Sequence, residues 1–122
     1  MKRFFLLTII LTAGAVAGRV VAQDAASASK RANQQYVLFE SERDKGTNVT
    51  AMYDYLLDSY ANFIKVVEAP DNGQYLEGAK NRLRSLYPYL LNGAVYYSEQ
   101  KQPAKALDLA AAYIDMPQLP AF

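Results

Sequence analysis

Apolar residues recur every three or four positions along most of this chain, the spacing that gathers side chains on one face of an α-helix. The longest such run is Val49, Met52, Tyr53, Leu56, Leu57, Tyr60, Phe63 or Ile64, and Val67, which predicts one amphipathic helix. Asn48 or Thr50 can cap its start, because a side-chain oxygen there accepts from an otherwise unpaired backbone N–H. Ala69-Pro70-Asp71-Asn72-Gly73 ends it, since proline cannot continue the hydrogen-bond ladder and Asn-Gly favours a turn. Upstream, Ala28, Ala32, Tyr36 and Phe39, broadened by Val37 and Leu38, predict a helix that Gly46 stops by adopting a left-handed conformation. The Ala/Ser-rich segment Gln23 to Ser29 reads as a frayed leader before it.

Downstream, Tyr75, Leu76, Ala79, Leu83, Leu86 and Tyr87 predict a third helix beginning near Gln74. Pro88 follows, and a proline inside a helix removes one backbone hydrogen bond, so a break or kink is expected there. The stretch Tyr89 to Pro117 then reads as two short helices hinged at Gln100 to Pro103. Leu90, Gly93, Ala94 and Tyr97 form the stripe of the first, and Ala106, Ala110 and Tyr113 (or Ile114) that of the second. Small residues let such a pair nest closely, with Ala94 and Ala106 at the contact. No run alternates at period two for long, so no strand is predicted.

The order Leu90, Ala94, Tyr97, Ala106, Leu107 resembles the tetratricopeptide repeat family, a helix-turn-helix unit of 34 residues. Gly93, Ala110 and Tyr113 depart from that family's usual residues, and Pro117 closes the unit early. The resemblance implies an all-α protein of antiparallel helix hairpins stacked as a right-handed superhelix, with four to five helices. It also implies a passive scaffold that binds a peptide or protein segment on a helical surface. No polar capping helix follows the last apolar stripe, and Leu119 and Phe122 stay free for a further contact. The expectation is therefore the N-terminal part of a longer exported repeat protein of bacterial type, or pairing with another copy.

The first 22 residues change the picture of address and charge. Lys2 and Arg3, an apolar run of 15 residues from Phe4 to Gly18, and Val20-Val21-Ala22 have the three parts of a secretory signal cut after Ala22. A retained anchor needs about 20 apolar residues. The chain is thus expected to be exported, periplasmic or secreted, and to meet the membrane only through this signal. The absence of Cys excludes a lipoprotein-type anchor and any disulfide framework. The 13 basic residues fall to 10 when Lys2, Arg3 and Arg19 leave, against 12 acidic ones, a formal charge of −2. With no Lys/Arg stripe and with Lys80, Arg82 and Arg84 read as a solvated helix face, no nucleic-acid partner is expected. The organisation expected is a signal peptide over 1–22, an N-terminal helix and linker over 23–47, and a helical domain over 48–122.

Candidate chemistry is sparse. With neither Cys nor His there is no ordinary zinc, copper or haem ligand set, and no cofactor is expected. Asp54 and Asp58 stand four apart and could be paired as acid and base, but they lie opposite the apolar stripe and point to water. No nucleophile motif is present. Asp71-Asn72-Gly73 lacks the alternating ligands of a calcium loop, and Asn48-Val49-Thr50 matches a glycan acceptor that the cap already explains. The chain is therefore read as no enzyme, the competing reading being a structural or regulatory N-terminal domain of a larger exported enzyme. Ten tyrosines against no tryptophan stand out. Neighbouring members of a cluster cannot all face one core, so Tyr55, Tyr89 and Tyr96, with Asn62 and Asn92 off the stripe, are the candidates for partner binding.

Overall fold

The computed structural model describes residues 24–122; the expected signal peptide lies outside the described residues. Among them are four α-helices, one short 3-10 turn and no strand. Helix α1 spans Ala25–Lys45, α2 Val49–Glu68, α3 Leu76–Glu99 and α4 Pro103–Asp115, with the 3-10 turn at Met116–Gln118. Each boundary has a local cause. Asp24 accepts the Ser27 N–H at 2.7 Å and opens α1; Gly46, at φ 68°, closes it with its N–H on the Glu42 carbonyl at 2.9 Å. Asn48 caps α2 by accepting from the Ala51 N–H at 3.0 Å. The Asn72 amide donates to the Val67 carbonyl at 3.0 Å, tying off the end of α2.

The expected frayed leader is instead helical from Ala25, and Ala25 and Ala28 are fully buried. Its anchor is tertiary: the Ala25 N–H donates to the Asp71 carboxylate at 3.3 Å, fastening the start of α1 to the loop between α2 and α3. The alanines of α1 bring α2 close enough for Ser59, itself buried, to donate to the Ala32 carbonyl at 2.9 Å. Helix α2 is covered by α1 on one side and α3 on the other. Its buried positions, Tyr53, Leu56, Ser59, Asn62, Phe63 and Val66, therefore include two polar residues that the apolar stripe omits. The Asn62 amide satisfies itself within the helix, donating to the Asp58 carbonyl at 2.8 Å.

No break occurs at Pro88, and α3 runs through it for 24 residues. Pro88 sits on the exposed side of the helix, as does Arg84, whose carbonyl loses its helical donor. Water can serve that carbonyl, so the proline costs stability without ending the helix. The cluster Lys80, Arg82, Arg84 is likewise no single solvated face. Lys80 reaches Glu77 at 3.3 Å, Arg82 lies over the Tyr36 ring at 4.5 Å and Arg84 over the Phe122 ring at 5.2 Å.

The tight contact of the α3–α4 hairpin is at Gly93. A Cβ there would stand 2.9 Å from Leu109 Cδ1 and 2.9 Å from the ring carbons Cδ1 and Cε1 of Tyr53, so α2, α3 and α4 converge on one hydrogen-sized gap. Leu109 and Ala112 of α4, continued by Met116 of the 3-10 turn, form its buried side, one position round from the expected Ala106, Ala110 and Tyr113 stripe. Ala94 is buried and Ala106 half-buried, both on the wall of an outer groove beside the contact. Leu119 packs against the core rather than standing free.

Two glycine substitutions are expected to have opposite signs in urea unfolding. Gly93→Ala overpacks two buried side chains and lowers stability by about 1–3 kcal/mol, whereas Gly78→Ala, with nothing within 4 Å, raises it by about 0.5 kcal/mol. Replacing the exposed helical proline, Pro88→Ala, is expected to stabilise by about 2 kcal/mol in the same measurement; an unchanged midpoint would mean that α3 is already broken there.

Candidate functional site

Five positions on α3, Arg82, Ser85, Tyr89, Asn92 and Tyr96, follow the three-four spacing of one helix face. The N-terminal part of that face looks across at α1. Arg82 lies on the Tyr36 ring, and Tyr89 meets the Phe39 ring edge-on at 5.2 Å with the Arg43 guanidinium 6.0 Å above it. Between the two helices runs a polar trough of about 400 Å³. Ser29 and Asn33 line it from α1, Gln74 and Tyr75 from the preceding loop, and Gly78, Ala79, Asn81, Arg82 and Ser85 from α3. It exists because α1 and α3 touch chiefly through large side chains, Tyr36 and Phe39 against Arg82 and Tyr89, which hold the two backbones apart.

The trough is rich in hydrogen-bonding groups and holds one uncommitted charge. Asn33 donates to the Ser29 carbonyl at 2.9 Å and to the Ser29 hydroxyl at 3.3 Å, which commits its amide protons and not its carbonyl oxygen. Asn81 accepts from Arg84 at 2.9 Å and keeps its amide protons. Among the described residues no carboxylate pairs with Arg82. A guanidinium seated on an aromatic face keeps its donor edge open for a carboxylate or phosphate.

No family model, curated protein or solved structure matches this chain.

The five candidate residues do not form one cluster. Tyr89 packs on Phe39 one turn beyond Ser85, outside the lining of the trough, and Asn92 is exposed one turn further on. Tyr96 lies on the same face two turns beyond Tyr89, where the neighbour is α2 rather than α1: it stands 5.7 Å from the Tyr53 ring and 5.0 Å from Tyr97. Tyr55 is half-buried on α2. Asn62 is only 5% exposed, so the surface position expected for it does not exist. Its spacing put it beside the apolar stripe, but α1 covers that side. Sequence reasoning left out Arg82, Asn33 and Ser85. The signal was present in the 82, 85, 89, 92, 96 spacing, but Arg82 was grouped with Lys80 and Arg84 by adjacency rather than by helix face.

Asp54 and Asp58 are each held by a cation from another helix. Lys105 of α4 stands 3.4 Å from Asp54, and Arg31 of α1 stands 2.7 Å from Asp58. Asp54 and then Tyr97 raise the Lys105 ammonium above its ordinary range. No group of three or more potential metal ligands occurs among the described residues, and no helix there is long and apolar enough to cross a membrane.

Two tyrosines add an alkaline pH dependence. Burial, then the neighbouring phenols Tyr97 and Tyr96, raises Tyr53 above its ordinary value of 10.0; burial, then Asp115 and Glu68, raises Tyr60, whose hydroxyl donates to the Ala112 carbonyl at 3.5 Å. A folded-state value above the unfolded one favours the protonated, folded chain. This contribution is complete below pH 10 and is lost as pH rises through the folded values. Chemical unfolding on either side of pH 10 is expected to show falling alkaline stability, with a shallower fall in the Tyr53→Phe, Tyr60→Phe double variant; equal slopes would contradict it.

Proposed function

We propose that this chain is a non-catalytic protein-interaction scaffold that binds an extended peptide segment along the trough between α1 and α3. What carries the proposal is Arg82, a guanidinium on the Tyr36 face that has no carboxylate partner among the described residues, set among amides and hydroxyls in a concave strip. A peptide backbone presents alternating donors and acceptors, which the Asn33, Asn81, Gln74 and Ser85 side chains can meet. Arg82 adds selection for a carboxylate, on an acidic side chain or at a chain end, by a two-pronged hydrogen bond. Asn92 and Tyr89 extend the strip toward the far end of α3.

The stacking of hairpins as in tetratricopeptide repeats belongs to the same proposal. Its support is that each helix meets the next, and also the next but one: α1 and α3 through Phe39 and Tyr89, α2 and α4 through Tyr60 and Ala112 and through Asp54 and Lys105. A hairpin laid on a hairpin in this way leaves a trough between alternate helices. Export, to the periplasm or beyond the cell, rests on Lys2-Arg3, the apolar run from Phe4 to Gly18 and the Val20-Val21-Ala22 site.

Selection of a random peptide display library on the purified chain tests the binding. The enriched peptides are expected to carry an acidic residue or a free C-terminal carboxylate. Calorimetry on one of them should show a loss of about 10–100-fold in affinity for Arg82→Ala, the value of a charge-assisted hydrogen bond, with unchanged helical circular dichroism. Binding that is indifferent to Arg82→Ala, or to amidation of the carboxylate, would contradict the proposal.

A further inference from the structure

A second surface, independent of the trough, lies on the outer side of the α3–α4 hairpin. Because α4 turns Leu109, Ala112 and Met116 inward, its outermost ridge is Ala104, Leu107, Ala111 and Ile114, again at the three-four spacing. Leu107 is 68% exposed and Ile114 59%. Beside this ridge runs an apolar groove of about 670 Å³ with Ala94, Ala106 and Ala110 along its wall and Lys101 at one end. Leu91 and Val95, also exposed, continue the apolar surface on α3.

We propose that this face is a two-fold interface on which α4 pairs antiparallel with α4 of a second copy of this chain. Shape selects the orientation. Antiparallel pairing about the level of Leu109 sets Leu107 opposite Ala111 of the second copy, and Ile114 opposite its Ala104, so each large side chain meets a small one. Parallel pairing sets Leu107 on Leu107 and Ile114 on Ile114, crowding two levels and leaving voids at the alanines.

Charge selects a second copy as the occupant. Lys101 stands before the N-terminal end of α4, and Asp108 and Asp115, seven residues apart, follow along its exposed side. Among the described residues none of the three has an ion-pair partner. In the antiparallel dimer each Lys101 comes level with Asp115 of the second copy, so the patch complements itself as an isologous interface must. In parallel register like charges would face each other, which is unfavourable. A helix of 13 residues is about 20 Å long, which suits a compact, concentration-dependent dimer rather than an obligate one.

Sedimentation velocity of the full chain over a wide concentration range tests this. The expected result is a reversible monomer–dimer equilibrium, with Leu107→Glu monomeric at unchanged helical circular dichroism. Lys101→Asp and Asp115→Lys should each weaken the dimer by about tenfold, since every contact occurs twice, and the double swap should restore it. A chain that stays monomeric at every concentration would overturn the proposal and give this face to another occupant. So would a dimer that survives Leu107→Glu, or a double swap that fails to rescue, which would exclude the antiparallel register.

Discussion

Three helices converge on Gly93, where a hydrogen atom occupies the place in which any other residue would put a carbon. The Tyr53 ring from α2 and the Leu109 methyl from α4 both come within 2.9 Å of where a Cβ would stand, and both are buried, so neither has room to retreat. Much of the remaining architecture follows. Leu109 can enter the core only if α4 is rolled to face α2 as well as α3, and that roll carries Ala112 and Met116 inward. It also carries Leu107 and Ile114 outward, so the exposed apolar ridge is a consequence of the same contact. Tyr53, held against Gly93, in turn meets Tyr96 at 5.7 Å and Tyr97 at 5.8 Å, joining the middle of the chain to the end of α3.

A second constraint sets the other half of the molecule. Helix α1 lies close along α2, through Ala32 at Ser59 and Tyr36 edge-on to Phe63, and stands off from α3, which it meets through Phe39 on Tyr89 and Tyr36 under Arg82. The close side excludes water and needs Ser59 to find the Ala32 carbonyl. The open side leaves the polar trough with Arg82 on its rim.

Helix ends were legible in the sequence because their causes are local. Gly46, Asn48, Asn72 and Pro103 each act through backbone geometry or a hydrogen bond within a few residues, and each does so here. Helix rotation was not legible. An apolar stripe reports one buried face, but α2 is buried on two sides, so Ser59 and Asn62 are interior despite their polarity. In α4 the alternative stripes 106, 110, 113 and 109, 112, 116 are both apolar, and only the gap at Gly93 chooses between them. Pro88 does not break α3, for a related reason. Whether a proline breaks a helix depends on who can serve the freed carbonyl, and here that carbonyl faces solvent. Of the candidate site, Tyr89 and Asn92 were reached by asking which residues lie off the stripe. Arg82 was not reached because what sets it apart, its seat on the Tyr36 ring, comes from a residue 46 positions away in the chain.

The most direct test of the convergence is nuclear Overhauser spectroscopy on the labelled chain, read at the Gly93 α-protons. Strong cross-peaks to both the Tyr53 ring protons and the Leu109 methyl protons are the predicted result. If either set is missing while α3 and α4 remain helical, the three helices do not meet at Gly93 and the rotation of α4 derived from that contact is wrong.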